Sequence, residues 1–339
     1  MPEQESRPTL EAVAALAGVS RATVSRVVNG GAGVRAPVAE KVRRAVEELG
    51  YVPNQAARAL VTRRNGAVAV LIAEPEFRIF SDPYFEQQIR GISRELAAYD
   101  TQLVLLWVEG PGDGARISRF LGGGHVDGVL ALSLHTDDQL SALTARPRVP
   151  TVHGGRPVSR GGPAVPFVDA DNRGGARAAV AHLVARGCRT VAHIAGPPDQ
   201  TSALDRLAGY HEVLPEADPV LLAAGDFTEE SGARAMAELL DRRPGLDGVF
   251  AANDLMAAGA LRVLRERGRR VPEDVAVVGF DDTPSVVRRT DPPLTTVRQD
   301  VEGMGRLMVR LLMRILDGPA GEPVESVVTP TVLVRRGSA

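Results

Sequence analysis

Two arginines and an alanine share the exposed face of a short segment near the N-terminus. The segment, residues 20–28, reads SRATVSRVV, and its valines recur at helical spacing. Arginine can donate two hydrogen bonds to guanine, and an alanine methyl group can contact the methyl group of thymine. We therefore predict that Arg21, Ala22 and Arg26 contact base edges in a DNA major groove. The alternative for each arginine is a phosphate contact, which positions a helix without reading sequence.

Short polar side chains surround these three residues. Hydroxyl and amide groups can donate hydrogen bonds to phosphate oxygens, and such bonds fix the register of a protein on the duplex. The residues predicted to contact the DNA backbone are Thr9, Ser20, Thr23, Ser25 and Asn29.

A second set of polar and aromatic side chains follows apolar runs in the rest of the chain. Carboxylate, amide and guanidinium groups can bond neighbouring sugar hydroxyls in pairs, and an aromatic ring can stack on the apolar face of a pyranose. The competing explanation is helix capping, which Asn253, Asp281 and Asp205 could each provide. Polar residues recur at the ends of several apolar runs, and this recurrence favours a ligand site over capping alone. The predicted effector-binding residues are Asp82, Tyr84, Phe85, Ser202, Arg206, Phe227, Asn253 and Asp281.

Three short helices must position the basic segment. Thr9 is suited to cap the first helix, which Gly18 ends, and Pro37 suits the first turn of the third. The spacing of Ala14, Gly18 and Val24 is typical of a helix-turn-helix. That motif needs a small residue where its helices cross, a glycine with positive φ in the turn and an apolar anchor on the second helix.

Residues 54–60 are a candidate hinge helix of two turns, with Asn54 as its cap. A helix this short is unstable alone in water, so we expect it to form only on docking. Leu60 has no local apolar partner and is suited to wedge into a minor-groove base step. The polar stretch 62–66 then marks the boundary of the head.

The rest of the chain alternates apolar runs with amphipathic helices. Short apolar runs bounded by glycine, proline or aspartate are typical of buried parallel strands, so the pattern predicts a doubly wound α/β fold. The number of runs is larger than one sheet holds, so two lobes are expected. The ligand would then bind between the two lobes, at the carboxyl ends of their strands. The runs are residues 67–73, 103–108, 126–134, 149–152, 165–168, 190–195, 220–223, 248–252 and 275–280, and the helices include 85–99, 174–186, 231–241 and 255–268.

The charge of the chain is unevenly divided. The whole sequence of 339 residues has a net charge of −2. Residues 1–65 hold ten basic and six acidic side chains, a net charge of +4, and the remaining residues hold 30 and 36, a net charge of −6. A small basic module is typical of a nucleic-acid binder, whereas an acidic body is not expected to contact phosphate.

Several classes of protein are poor matches to the sequence. The single cysteine, Cys188, excludes an intrachain disulfide. Residues 1–8 have no apolar segment of the kind found in signal peptides, and no apolar run approaches the ~18 residues of a membrane helix, so we expect a cytoplasmic protein. No catalytic or metal-binding motif is found, so we expect no enzyme activity, no cofactor and no metal.

The head resembles that of the lactose/galactose repressor family. The resemblance is carried by TLEAVAALAGVSRATVSRVVN over residues 9–29 and by GYVPNQAARAL over residues 50–60. It implies that Arg21 and Ala22 read the operator together with Arg26. It also implies that Leu60 opens a central minor-groove step, with Ala57 and Arg58 beside it. One departure is Ala36, where the family usually has a serine or threonine cap.

The resemblance extends through the body. Its motifs are RLAGY over residues 206–210, AAND over 251–254, VVGFDD over 277–282 and PLTTV over 293–297. It implies a periplasmic-binding-protein-like effector domain. Arg206, Asn253 and Asp281 would hold the effector, Phe227 and Tyr84 would stack on it or meet its edge, and Ser202 would add a bond.

The expected function is transcriptional repression. The protein would bind a pseudo-palindromic operator in double-stranded DNA as a homodimer and be released by a sugar or oligosaccharide. The segment 74–85 resembles that of actinobacterial cello-oligosaccharide-type regulators. A purine or phosphosugar corepressor is one alternative, although purine-binding members have an arginine where this chain has Gln200. A sugar-binding transport protein is another, which the head and the missing signal peptide disfavour.

The predicted organisation has three parts. A helix-turn-helix DNA-binding domain covers residues 1–52, a hinge helix and linker 53–65, and an effector-binding and dimerisation domain 66–339. Within the last, the N-lobe comprises about 66–166 and 299–326, and the C-lobe about 167–298 and 327–339. The chain ends directly after the apolar strand predicted over 327–334, without the leucine heptad of tetrameric members, so a dimer is expected.

Overall fold

The computed structural model describes residues 8–28, 33–52, 64–110, 112–133, 135, 149–157, 165–319 and 322–339. The chain divides into two units, Met1–Gly66 and Ala67–Ala339. Four predicted DNA contacts lie outside the described residues: Asn29, Ala57, Arg58 and Leu60.

Three helices form the described part of the first unit: α1 (Leu10–Ala17), α2 (Arg21–Val28) and α3 (Ala36–Leu49). The hydroxyl of Thr9 accepts a hydrogen bond of 3.2 Å from the amide of Ala12 at the start of α1. Gly18 has a φ of 64°, the left-handed turn that the motif requires. Ala14 and Val24 are buried. The predicted helix-turn-helix is therefore confirmed, down to its crossing, turn and anchor residues.

Parallel strands and covering helices form the second unit. Its described strands are β1 (Ala67–Ile72), β2 (Gln102–Trp107), β3 (Gly128–Leu132), β4 (Thr151–Gly154), β5 (Phe167–Ala170), β6 (Val191–Ala195), β7 (Leu222–Ala224), β8 (Gly248–Ala251), β9 (Ala276–Asp281), β10 (Thr295–Arg298), β11 (Val327–Thr329) and β12 (Val332–Val334). Its described helices are α4 (Glu76–Ser81), α5 (Pro83–Ala98), α6 (Asp113–Gly122), α7 (Asn172–Ala185), α8 (Thr201–Val213), α9 (Glu229–Arg242), α10 (Asp254–Glu266), α11 (Pro284–Val287) and α12 (Val301–Asp317). A short 3₁₀ turn, Pro219–Leu221, precedes β7.

Two six-stranded sheets define two lobes with the same winding. The N-lobe sheet has the order β2-β1-β3-β4-β5-β11, and the C-lobe sheet has the order β7-β6-β8-β9-β10-β12. Every pair is parallel except β10 with β12. In each sheet the strand order reverses beside the first strand, which is where a doubly wound fold binds its ligand.

The chain changes lobe a few residues later than the sequence predicts. The predicted C-lobe begins at 167, but β5 pairs with β4 and belongs to the N-lobe sheet. The predicted single strand over 327–334 is two strands, of which β11 joins the N-lobe and β12 the C-lobe. Pro330 separates them, and proline cannot donate a hydrogen bond to a continuing ladder.

His153 places an unsatisfied imidazole in the core of the N-lobe. It lies on β4 and is buried, and neither ring nitrogen has a hydrogen-bond partner among the described residues. Burial lowers the pKa of His153 to about 4. An unfolded histidine has a pKa of about 6.5, so below that value the unfolded chain binds the additional proton. The titration of His153 therefore has no effect on stability above pH 6.5, and it lowers stability as the pH falls from 6.5 toward 4.

Replacing His153 with leucine is expected to raise the free energy of unfolding at pH 7.5 by about 1–3 kcal/mol, because the substitution removes two unpaired buried nitrogens. The substitution should also reduce the decrease in the free energy of unfolding that the wild-type protein shows as the pH falls from 6.5 to 5. Urea unfolding at several pH values measures both effects. His125→Gln, at an exposed position, is the control. An unchanged pH slope in His153→Leu would contradict this account.

Candidate functional site

A cleft lies between the N-lobe and the C-lobe, where the carboxyl ends of the parallel strands meet. The open space of the cleft, including the solvent that enters it, is about 690 Å³. All eight predicted effector-binding residues line this cleft: Asp82, Tyr84, Phe85, Ser202, Arg206, Phe227, Asn253 and Asp281.

Arg206 is held from several sides before any ligand enters. Its Nε donates a hydrogen bond of 3.0 Å to Oδ1 of Asn172, and Nη1 donates to the carbonyl oxygen of Ala252. Nη2 lies 3.6 Å from Oδ1 of Asp281, and Cζ lies 3.8 Å from the centroid of the Phe280 ring. Only 5% of the residue is exposed. A donor fixed in this way loses little entropy when a ligand binds.

Asp281 supplies a buried carboxyl next to this guanidinium. It ends β9 with a φ of 110°, and its Oδ1 accepts a hydrogen bond of 2.6 Å from Nε2 of Gln299. Burial raises the pKa of Asp281 to about 7, although Arg206 opposes the rise. Near neutral pH such a carboxyl can either accept a hydrogen bond from a sugar hydroxyl or donate one to it.

Asn253 both caps a helix and lines the cleft. Its Oδ1 accepts a hydrogen bond of 2.9 Å from the amide of Met256, and its Nδ2 donates one of 2.9 Å to the carbonyl of Phe227. The capping alternative therefore holds for Asn253. Asp205 instead accepts two hydrogen bonds from Arg156, and the side chain of Asp281 is bonded to Gln299.

The aromatic wall of the cleft begins at helix α5. Asp82 caps this helix by accepting a hydrogen bond of 2.9 Å from the amide of Tyr84, and burial raises the pKa of Asp82. The rings of Tyr84 and Phe85 are edge to face, with centroids 5.8 Å apart. Phe85 is also part of the N-lobe core, and Ser202 lies in the first turn of α8.

Further polar residues line the cleft that the sequence interpretation did not select. Asp169 is the next-to-last residue of β5, and its Oδ1 accepts a hydrogen bond of 2.9 Å from Nδ2 of Asn172. Asp281 was selected because it directly follows an apolar run. Asp169 directly follows the apolar run 165–168, so the same criterion could have selected it. Gln200, which the resemblance had singled out, also lines the cleft, and the missed lining residues are Arg78, Gln88, Ser133, Gly154, Gly155, Asp169, Asn172, Thr201 and Gln299.

The head presents its predicted base-contacting residues on one exposed helix surface. Arg21, Ala22 and Arg26 are all exposed on α2. Nε of Arg21 lies 3.2 Å from Oε1 of Glu11, and both side chains are more than half exposed. An exposed ion pair of this kind contributes little to stability, so it leaves Arg21 available to another acceptor.

The predicted backbone contacts lie beside this surface. Oγ of Ser20 accepts a hydrogen bond of 3.2 Å from the amide of Thr23 and lies 2.9 Å from the Thr23 hydroxyl. Thr9 caps α1 and Ser25 lies half-buried on α2. The hydroxyls of Thr9 and Ser20 thus have capping roles in addition to the predicted contacts with phosphate.

The helix-turn-helix head and the two-lobed cleft define a class of protein, the DNA-binding regulators that carry a domain for a small-molecule ligand. The model "Bacterial regulatory proteins, lacI family" matches residues 9–54, and the model "Periplasmic binding protein-like domain" matches residues 180–339. This chain belongs to the LacI family. No helix in the described part of the chain has both the length and the hydropathy required to cross a membrane.

Two relatives and two solved structures show how far the similarity extends. The HTH-type transcriptional regulator CelR of Thermobifida fusca is 49% identical over 98% of this chain and 99% of its own length. The ribose operon repressor of Escherichia coli K12 is 32% identical over 98% of this chain and 99% of its own length. A structure of a CelR–cellobiose complex has a TM-score of 0.76 at 47% identity, covering 98% of this chain and all of that one. The structure of the lac repressor dimer bound to operator and the anti-inducer ONPF has a TM-score of 0.83 at 30% identity. The match covers 98% of this chain and 99% of that one.

Proposed function

We propose that this protein is a transcriptional repressor whose homodimer binds a pseudo-palindromic operator and is released by a β-linked glucose oligosaccharide, with cellobiose as the first candidate. The observation that carries the proposal is the cleft, which Arg206, Asn253 and Asp281 line together with the ring of Tyr84. Paired polar groups beside an aromatic ring suit the hydroxyls and the apolar face of a pyranose. The similarity to CelR and to its cellobiose complex favours this sugar over others.

The charges of the cleft favour a neutral ligand over a phosphorylated one. Two cations line its described part, Arg78 and Arg206. Arg78 donates two hydrogen bonds to Glu74, and Arg206 lies beside Asp281. Because both cations already face carboxylates, a phosphate would meet little uncompensated positive charge. This arrangement disfavours the phosphosugar alternative.

The position that distinguishes purine-binding members also favours a sugar. Gln200 occupies it, and its Nε2 donates hydrogen bonds to Oε1 of Glu74 at 3.1 Å and to Oγ of Ser133 at 3.2 Å. The amide is engaged with protein groups and carries no positive charge. We therefore infer a sugar inducer rather than a purine corepressor. The similarity to the transcriptional regulator CelR supports a cytoplasmic binding protein rather than an enzyme.

In the proposed mechanism, sugar binding closes the cleft and shifts the N-lobe, so that the hinge segment 53–65 no longer holds the operator. Allosteric coupling of this kind is typically about 1–3 kcal/mol between the two ligands. Linkage is reciprocal, so operator DNA would lower the affinity for sugar by the same factor. The roles of Ala57, Arg58 and Leu60 in the minor groove, and of Asn29 at the backbone, are part of this proposal.

Titration of the full-length protein with cellobiose is expected to show one site per subunit by calorimetry. The same sugar should release operator DNA in a mobility-shift assay. Maltose has the same two glucose rings joined by a different linkage and serves as the control. Tighter operator binding in the presence of cellobiose would replace the inducer interpretation with a corepressor one. Absence of cellobiose binding would contradict the proposed effector class.

A further inference from the structure

Six polar side chains form a network across one end of the cleft, which we term the partition. Its N-lobe members follow β1 and β3, and its C-lobe members lie between β6 and α8. The members are Glu74, Arg78, Ser133, His135, Asp199 and Gln200.

Glu74 is the centre of the partition and is 3% exposed. Nη1 of Arg78 donates to its two carboxylate oxygens at 2.8 and 2.9 Å, and Ser133 donates to Oε1. Nε2 of His135 lies 3.1 Å from the same Oε1. Burial alone would raise the pKa of Glu74, but the hydrogen bond from His135 and the charge of Arg78 hold it below its usual value. The carboxylate is therefore charged and saturated with donors.

His135 carries the network from the N-lobe to the C-lobe. Its Nδ1 lies 2.7 Å from Oδ2 of Asp199 while its Nε2 contacts Glu74. These hydrogen bonds raise the pKa of His135 to about 9, and the bond with Glu74 has the largest effect. The imidazolium is thus charged at neutral pH and joins one carboxylate from each lobe.

The partition has a different open space on each side. Arg78, Ser133 and Gln200 line the cleft of about 690 Å³, and Glu74, Arg78, His135 and Asp199 line an outer groove of about 1290 Å³, both volumes including solvent. Glu109 and Asp226 also line the outer groove. Their carboxylates can accept hydrogen bonds from sugar hydroxyls.

We propose that the partition ends the binding cleft and selects effectors by chain length, so that a longer oligosaccharide must break the contacts of His135 and Gln200 to extend into the outer groove. The proposal rests on the proposed function, because it assumes that the cleft takes an oligosaccharide. A short chain ends against Gln200, Ser133 and Arg78. A longer chain must separate His135 from Glu74, which leaves a buried carboxylate with fewer donors and is therefore costly.

The test compares cellobiose with cellotetraose by calorimetry in the full-length protein and in the double variant His135→Ala, Gln200→Ala. The wild-type protein is expected to bind cellobiose at least about tenfold more tightly, and the double variant should reduce that ratio by about tenfold or more, since two net hydrogen bonds are at stake. Glu74 keeps both bonds from Arg78 in this variant, and thermal melting checks its fold. Gln200→Ala alone provides a second, milder variant.

Arg156→Ala is the matched control. Arg156 donates hydrogen bonds of 2.7 and 2.8 Å to Asp205 and so also joins the lobes, but it lines neither space. If general loosening of the lobes explained the result, Arg156→Ala would change the ratio equally, and the proposal would be overturned. A ratio unchanged in the double variant, or equal affinities in the wild-type protein, would overturn it as well. Failure of the wild-type protein to bind either sugar would instead overturn the proposed effector class on which it rests.

Discussion

Replacing Arg206 with methionine is expected to lower the affinity for cellobiose by about 100-fold or more, because hydrogen bonds to a charged group contribute about 1.5–3 kcal/mol each. Arg206 is the cleft cation held by Asn172, by Ala252 and by the face of Phe280. Operator binding by the variant should remain close to that of the wild-type protein. Operator DNA would then no longer be released by the sugar, so the variant would repress permanently.

The fold is expected to tolerate this substitution. Without Arg206 the carboxyl of Asp281 keeps its bond from Gln299. Burial already raises the pKa of Asp281 to about 7, so the group can take up a proton rather than stay buried as an unpaired charge. Methionine is flexible enough to fill the space along Phe280.

Arg173→Met is the control for this experiment. Arg173 is an exposed arginine on α7, paired with Glu212 and absent from the cleft lining. Calorimetry with cellobiose, mobility shift with operator and thermal melting would be run on both variants. Unchanged cellobiose affinity in a folded Arg206→Met protein would remove Arg206 from the effector site.

Replacing Arg26 with alanine is expected to weaken operator binding by roughly 5- to 150-fold, since a bidentate contact between arginine and guanine contributes about 1–3 kcal/mol of discrimination. Binding to non-specific DNA should fall much less. Arg26 is exposed on α2. Arg21→Ala should also weaken operator binding, because the exposed pair of Arg21 with Glu11 costs little to break.

Arg43→Ala is the matched control in the head. Arg43 is exposed on α3 and paired with Glu40 at 3.0 Å. Competition titrations at fixed salt would give specific and non-specific affinities for each variant, because both depend strongly on ionic strength. Equal losses on specific and non-specific DNA would make Arg26 a phosphate contact, the alternative left open by the sequence.

The sequence is most informative where burial repeats at a fixed spacing. Each of the nine predicted apolar runs overlaps a strand, because a strand covered on both faces is apolar at most of its positions. β10 is absent from those runs because Thr295 and Thr296 are polar, although both are fully buried. Their hydroxyls bond to Ala339 and Asp254, partners that no local pattern reveals.

What the sequence determined by itself is the helix-turn-helix, the doubly wound body and the eight residues that meet in the cleft. These follow from short-range rules, since the carboxyl ends of parallel strands converge whatever their loops contain. Tertiary structure alone decided which sheet takes β5 and β11, how Arg206 lies on Phe280 and that Glu74, His135 and Gln200 come together in one hydrogen-bond network. The physical reason is that the buried charge of Glu74 is balanced by donors from distant parts of the chain, and local periodicity carries no information about such partners.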